Sequence, residues 1–149
     1  MMNPLRKKTK FVSYYELQFV SLMVENVIII DDDPISILVS ETMMVKNGFA
    51  GRIKSFENPN DALAYFKNEH SWESGVPDYI FLDVQMPQMD AWGFLEKYIE
   101  IDPCIRETKH IILLSATFNP EDEEGARDHA MVLELITKPI NAQILERLK

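Results

Sequence analysis

The chain has 149 residues, 46% of them apolar, with a net charge of −9 and a single cysteine. That is enough for one domain with a sizeable core and too short for two. Cys104 excludes an internal disulfide, and His70, His110 and His129 lack metal-ligand spacing. The acidic balance argues against a nucleic-acid partner and points to proteins, while the cysteine usage fits a reducing cytoplasm.

Residues 1–22 stand apart. Arg6, Lys7, Lys8 and Lys10 face only Glu16, so a segment of +3 precedes a body of −12. The apolar stretch from Phe11 to Val24 is interrupted by Glu16, Gln18 and Ser21, and no small-residue cleavage site follows, which argues against a membrane anchor and a signal peptide. The segment reads as a poorly ordered extension of a domain spanning residues 23–149. The other reading is a docking arm with Phe11, Tyr14, Tyr15, Phe19 and Leu22 as its contacts.

The first strand is expected at Val27-Ile28-Ile29-Ile30, followed by Asp31-Asp32-Asp33-Pro34. Ile35, Leu38, Val39 and Met43 then recur at helical spacing up to Asn47-Gly48, with Asp33 as N-cap and Pro34 at the first helical position. Arg52 to Phe56 reads as a second strand, and Asn58-Pro59 opens a helix with Ala62, Leu63, Tyr65 and Phe66 on its buried face. A loop over His70 to Pro77 leads to the central strand Tyr79 to Asp83. Trp92, Phe94, Leu95, Tyr98 and Ile99 mark a third helix, broken by Asp102-Pro103. His110 to Leu114 is a fourth apolar strand ending in Ser115, and Asn119-Pro120 opens an acidic helix running to about Ala130. Val132 to Ile136 is the fifth strand, closed by Thr137-Lys138-Pro139, and Asn141 caps a last helix. Strands alternating with helices imply a parallel α/β sheet with helices on both faces.

Strand carboxyl ends are adjacent in such a sheet and form its ligand-binding edge. Here they deliver Asp31 and Asp32, Asp83, Ser115 and Lys138. Three carboxylates held close repel one another unless a cation is present, and Lys138 offsets only one charge. An oxygen-rich cleft of this kind suits Mg²⁺, which keeps waters that a phosphate can displace.

An acidic pair after the first strand, an aspartate before Met86-Pro87-Gln88-Met89-Asp90, Ser115-Ala116 after the fourth strand and Lys138-Pro139 after the fifth together resemble the receiver domain of two-component response regulators. The resemblance covers about Glu25 to Lys149. It implies a flavodoxin-like, doubly wound five-stranded parallel sheet of order 2-1-3-4-5, and a stand-alone receiver acting in two-component or phosphorelay signalling. It implies Asp83 as phosphoacceptor, with Mg²⁺ held by Asp32, Asp83 and the backbone carbonyl of Gln85, and by Asp31 through water. It further implies Ser115, Ala116 and Lys138 as the phosphate-binding and switch positions, and a cis peptide before Pro139. A histidine kinase or histidine phosphotransfer protein would be the donor, another protein the target, and a homodimer one available form.

Three departures stand out. Ala91 follows Asp90 where receivers usually carry glycine, Leu135 replaces the usual switch aromatic, and the last helix is short. Two other functions compete. An aspartate-nucleophile phosphatase needs an acid/base carboxylate two residues after Asp83, where Gln85 stands. A receiver-fold interaction module without phosphorylation would not need the complete polar set.

Overall fold

The computed structural model describes residues 24–68, 77–101 and 110–149; the extension at residues 1–22 lies outside them, as do most of the expected loop after Asn68 and the Asp102-Pro103 break. Among them, in chain order, are β1 (Val24–Ile30), α1 (Pro34–Lys46), β2 (Ala50–Phe56), α2 (Pro59–Lys67), β3 (Tyr79–Asp83), α3 (Ala91–Ile101), β4 (Ile111–Ser115), α4 (Pro120–Asp128), β5 (Val132–Thr137) and α5 (Ala142–Leu148). The five strands are parallel and ordered β2-β1-β3-β4-β5. This is the flavodoxin-like arrangement expected from the resemblance.

Side-chain alternation along the strands sorts the core into two layers. Ile28, Ile30, Ile80, Leu82, Ile111 and Leu113 face one way and meet Leu63 and Phe66 of α2, Phe94, Leu95 and Tyr98 of α3, and Ala126 of α4. Val27, Ile29, Phe81, Ile112, Leu114 and Ile136 face the other way, against Ile37 and Met44 of α1 and Leu145 and Leu148 of α5. A sheet buried on both faces explains why its strands read as unbroken apolar runs.

The helix starts follow the caps. Asp33 Oδ1 accepts from the N–H of Ile35 at 2.9 Å, Asn58 Oδ1 from Asn60 at 2.9 Å, Asn119 Oδ1 from Glu121 at 3.0 Å and Asn141 Oδ1 from Ile144 at 3.0 Å. Gly48, at φ 53°, turns the chain out of α1 and lets the N–H of Phe49 reach the Met44 carbonyl at 2.9 Å. The acidic helix α4 stops at Asp128 rather than near Ala130, because His129 is already extended.

β2 starts at Ala50, two residues before the expected Arg52, and two further points differ from the expected pattern. β1 starts at Val24, three residues before Val27, because a distant residue pins it: Asp78 Oδ2 accepts from the N–H groups of Glu25 and Asn26 at 2.7 and 2.9 Å, and the Asp78 N–H donates to the Asn26 carbonyl at 2.8 Å. The second concerns α1. Of the recurring residues, Met43 packs on the sheet-side core, whereas Ile35, Leu38 and Val39 are 70%, 62% and 41% exposed, as is Val45 at 70%; Ile37, Ser40 and Met44 are the buried ones. The helix is apolar around most of its circumference, so periodicity could not tell which stripe the sheet would take.

Candidate functional site

Each functional side chain comes from the carboxyl end of a strand. Asp31 follows β1, and its N–H donates to the Phe56 carbonyl at 3.1 Å, tying the acidic turn to the end of β2. Asp83 closes β3 opposite Leu114, and Ser115 closes β4 opposite Thr137. The N–H of Lys138 reaches the Ser115 carbonyl at 2.8 Å, and the Lys138–Pro139 peptide bond is cis.

One carboxylate oxygen from each of Asp31, Asp32 and Asp83 lies within 4.8 Å of the others. Asp31 is 1% exposed and accepts three hydrogen bonds: Oδ1 from the N–H of Asp33 at 3.0 Å, Oδ2 from Ser36 Oγ at 2.6 Å and from Lys138 Nζ at 2.7 Å. Ser36 escaped the sequence reading; the available signal was a hydroxyl in the first turn of a helix that follows an acidic triplet. Asp32 is half-buried. Asp83 is 6% exposed, and Lys138 Nζ stands 3.3 Å from its Oδ1, so one ammonium bridges two carboxylates.

The charges are unbalanced in a way that invites a cation. Burial, then the negative charge of Asp31, pushes the Asp83 carboxyl up to about 6 from 3.8, against the opposing pull of Lys138 and a hydrogen bond from the Gln85 backbone N–H. Burial alone would depress Lys138, but its hydrogen bond to Asp31 and the charges of Asp31 and Asp83 outweigh that and hold it above 10.5. A donor set made only of oxygens, short of positive charge and open at Asp32, fits a hard divalent cation.

Around this centre, Ser115 Oγ donates to the Thr117 carbonyl at 2.6 Å, so its hydroxyl is occupied within a local turn. Ala116 and Gln85 are exposed beside the cleft. Ala91 is fully buried, and no described residue other than glycine has a positive φ, so the glycine departure imposes no left-handed backbone here. Asp90 Oδ1 caps α3 by accepting from the N–H of Gly93 at 2.8 Å. Leu135 is half-buried and packs on the cluster containing Ala126 and Met131.

Trp92, in the first turn of α3, also reaches α4 and the residue that follows it. Its Nε1 donates to Asp122 Oδ1 at 3.4 Å and its ring lies 6.3 Å from that of His129. A Cβ added at Gly125 would stand 2.8 Å from the Trp92 ring. A glycine in mid-helix normally costs about 1 kcal/mol relative to alanine. Gly125→Ala is nonetheless expected to destabilise the fold by about 1 kcal/mol, because the indole must move. A thermal midpoint equal to or above wild type would show that the ring yields freely.

Among the described residues, no helix is long and apolar enough to cross a membrane. The chain is 30% identical over 131 residues to the chemotaxis protein CheY of Bacillus subtilis (strain 168), across 80% of this chain and 100% of that one. A two-component response regulator from Cytophaga hutchinsonii has the same fold, with a TM-score of 0.76 at 24% identity over 85% of this chain and 94% of that chain. So does the CheX–CheY–BeF3–Mg+2 complex from Borrelia burgdorferi, at 0.66 and 20% identity over 87% and 90%. The response regulator receiver domain matches residues 27–149, from within β1 to the last residue. Because that match spans all five strands and every strand end that feeds the acidic cleft, the chain belongs to the response regulator receiver family of two-component signalling.

Proposed function

We propose that this protein is a phosphoacceptor of a two-component or phosphorelay system, phosphorylated on Asp83, and that it signals by binding another protein. The observation that carries the reading is the bridge from Lys138 to both Asp31 and Asp83: a rigid strand-end carboxylate with an ammonium already aimed at it. Asp32, Asp83 and the Gln85 carbonyl would hold Mg²⁺, with Asp31 acting through water. Asp31 suits that outer position because both its oxygens already accept from protein donors. When bound, the metal supplies positive charge for the phosphoryl oxygens.

The chain's own residues position and stabilise. An Asp83 oxygen bonds to phosphorus while the P–N bond of a phosphohistidine breaks, its electron pair passing to the imidazole nitrogen, which then takes up a proton. Lys138 stays on the transferring group, and the Ser115 hydroxyl, with the Ala116 backbone N–H beside it, would donate to the new phosphoryl oxygens. Gln85 cannot serve as an acid or base, so the protein accepts a phosphoryl group and turns over no substrate beyond loss of its own phosphate. The donor would be a histidine kinase or phosphotransfer protein in the cytoplasm. The CheX–CheY complex of Borrelia burgdorferi supports a protein as the target.

Incubation with Mg²⁺ and a small acyl phosphate should add one phosphoryl group by intact mass; no gain would overturn the reading. Mg²⁺ alone should raise unfolding stability by about 2.7 kcal/mol at a hundred times its dissociation constant. Asp32→Ala should lose most of that gain. Equal thermal shifts in the two proteins would remove Asp32 from the metal site.

A further inference from the structure

Asp31 is the most enclosed carboxylate of the cleft, and its donors differ in how firmly they are held. Oδ1 accepts from the Asp33 N–H, while Oδ2 accepts from both Ser36 Oγ at 2.6 Å and Lys138 Nζ at 2.7 Å. Two of the three are fixed. Asp33 caps α1 and Ser36 stands in its first turn, where Pro34 sets the backbone and the neighbouring Ile37 is buried in the sheet-side core. Lys138 is different, because it carries its ammonium on a flexible four-carbon stem with Asp83 Oδ1 only 3.3 Å away.

On the phosphoacceptor reading, on which this role depends, we propose that Ser36 is a positioning residue for phosphoryl transfer: it keeps Asp31 Oδ2 paired when Lys138 turns to the transferring group. Negative charge gathers beside Asp83 as the phosphoryl group arrives, and it draws the ammonium away from Asp31. Asp31 is 1% exposed, so bulk water is a poor replacement, and a buried acceptor left without a donor is costly. The Asp33 N–H is committed to Oδ1. Ser36 already donates to Oδ2, so the lysine leaves without orphaning it.

Before transfer Oδ2 has two donors, and losing one still leaves it satisfied. Ser36 therefore matters more while the lysine is away than in the resting site, which is the condition for changing a rate without changing binding. Its place on α1 also explains why the site needs this helix as well as the strand ends.

The test compares wild type, Ser36→Ala and Ser36→Thr in their initial rate of phosphate incorporation, read by intact mass with Mg²⁺ and a small acyl phosphate. Ser36→Ala should be about tenfold slower, the scale of one hydrogen bond to a charged group. Ser36→Thr keeps the hydroxyl and should restore the rate. The thermal shift on adding Mg²⁺ should be the same in all three proteins, because the charge of the cleft is unchanged. In a Lys138→Met background, where no ammonium leaves Oδ2, the alanine change should cost less than about twofold. Equal rates in wild type and Ser36→Ala would overturn the proposal. So would a loss that threonine does not restore, a smaller Mg²⁺ shift in Ser36→Ala, or an equal loss in both backgrounds, each of which would assign Ser36 to the fold of the cleft alone. Failure of the wild type itself to incorporate phosphate would overturn the phosphoacceptor reading and this role with it.

Discussion

Asp83→Asn is expected to abolish phosphate incorporation and, above pH 6, to make the metal-free protein more stable. The amide nearly matches the carboxylate in shape but is a poor nucleophile, so the intact-mass gain should disappear. The stability change follows from the carboxyl held at about 6 instead of 3.8, by burial first and Asp31 second. Between those two values the folded protein binds the proton more tightly than the unfolded chain, so wild-type stability falls as pH rises through that window and stays reduced above it. A neutral amide escapes this loss. Discounted for the partial solvent access of the cleft, the gain should be about 1–2 kcal/mol at pH 7, shrinking towards zero below pH 4. Urea unfolding at several pH values measures it, and a gain independent of pH would mean that charge repulsion at Asp83 is not its source.

Much of this site is local information written at strand ends. Ile28 to Ile30, Ile80 to Leu82 and Ile111 to Leu114 are continuous apolar runs because both faces of the sheet are covered, and each run stops at the polar residue it delivers. Asp33, Asn58, Asn119 and Asn141 mark helix starts because a cap acts within three residues. Strand order was not written locally; it came with the family resemblance.

What stayed hidden depended on partners distant in sequence. The start of β1 is set by Asp78, 53 residues from Glu25. Asp31 and Asp32 look alike in sequence, yet Asp31 is enclosed by Asp33, Ser36 and Lys138 while Asp32 stays half-open. The facing of α1 was undetermined because its apolar residues leave no clear polar side. The Trp92 contact left one trace: Gly125, a poor helix former inside an acidic helix, marks the place where α4 admits a large neighbour.

Ser115→Ala is expected to separate phosphorylation from its structural response. In the unphosphorylated protein the Ser115 hydroxyl donates to the Thr117 carbonyl, and the Thr117 N–H approaches the same oxygen at 3.4 Å, so the hydroxyl stabilises the turn that carries Ala116, Thr117 and exposed Phe118. A phosphoryl oxygen on Asp83 is a charged and stronger acceptor. Reaching it requires the hydroxyl to release Thr117, which frees the turn to move and shifts the start of α4 at Pro120. Trp92, lying against Gly125 and Asp122, would sense that shift, whereas Leu135 has no hydroxyl to exchange and already packs on the core cluster that includes Ala126 and Met131. Acyl phosphate with Mg²⁺ should therefore change Trp92 fluorescence in a Trp72→Phe background, and hydrogen exchange should change across residues 116–128 with little at 132–136. In Ser115→Ala both responses should vanish while phosphate still incorporates about tenfold more slowly, the scale of one lost hydrogen bond in the transition state. Exchange changes centred on residues 132–136, or an undiminished loop response in the alanine variant, would place the switch at Leu135 instead.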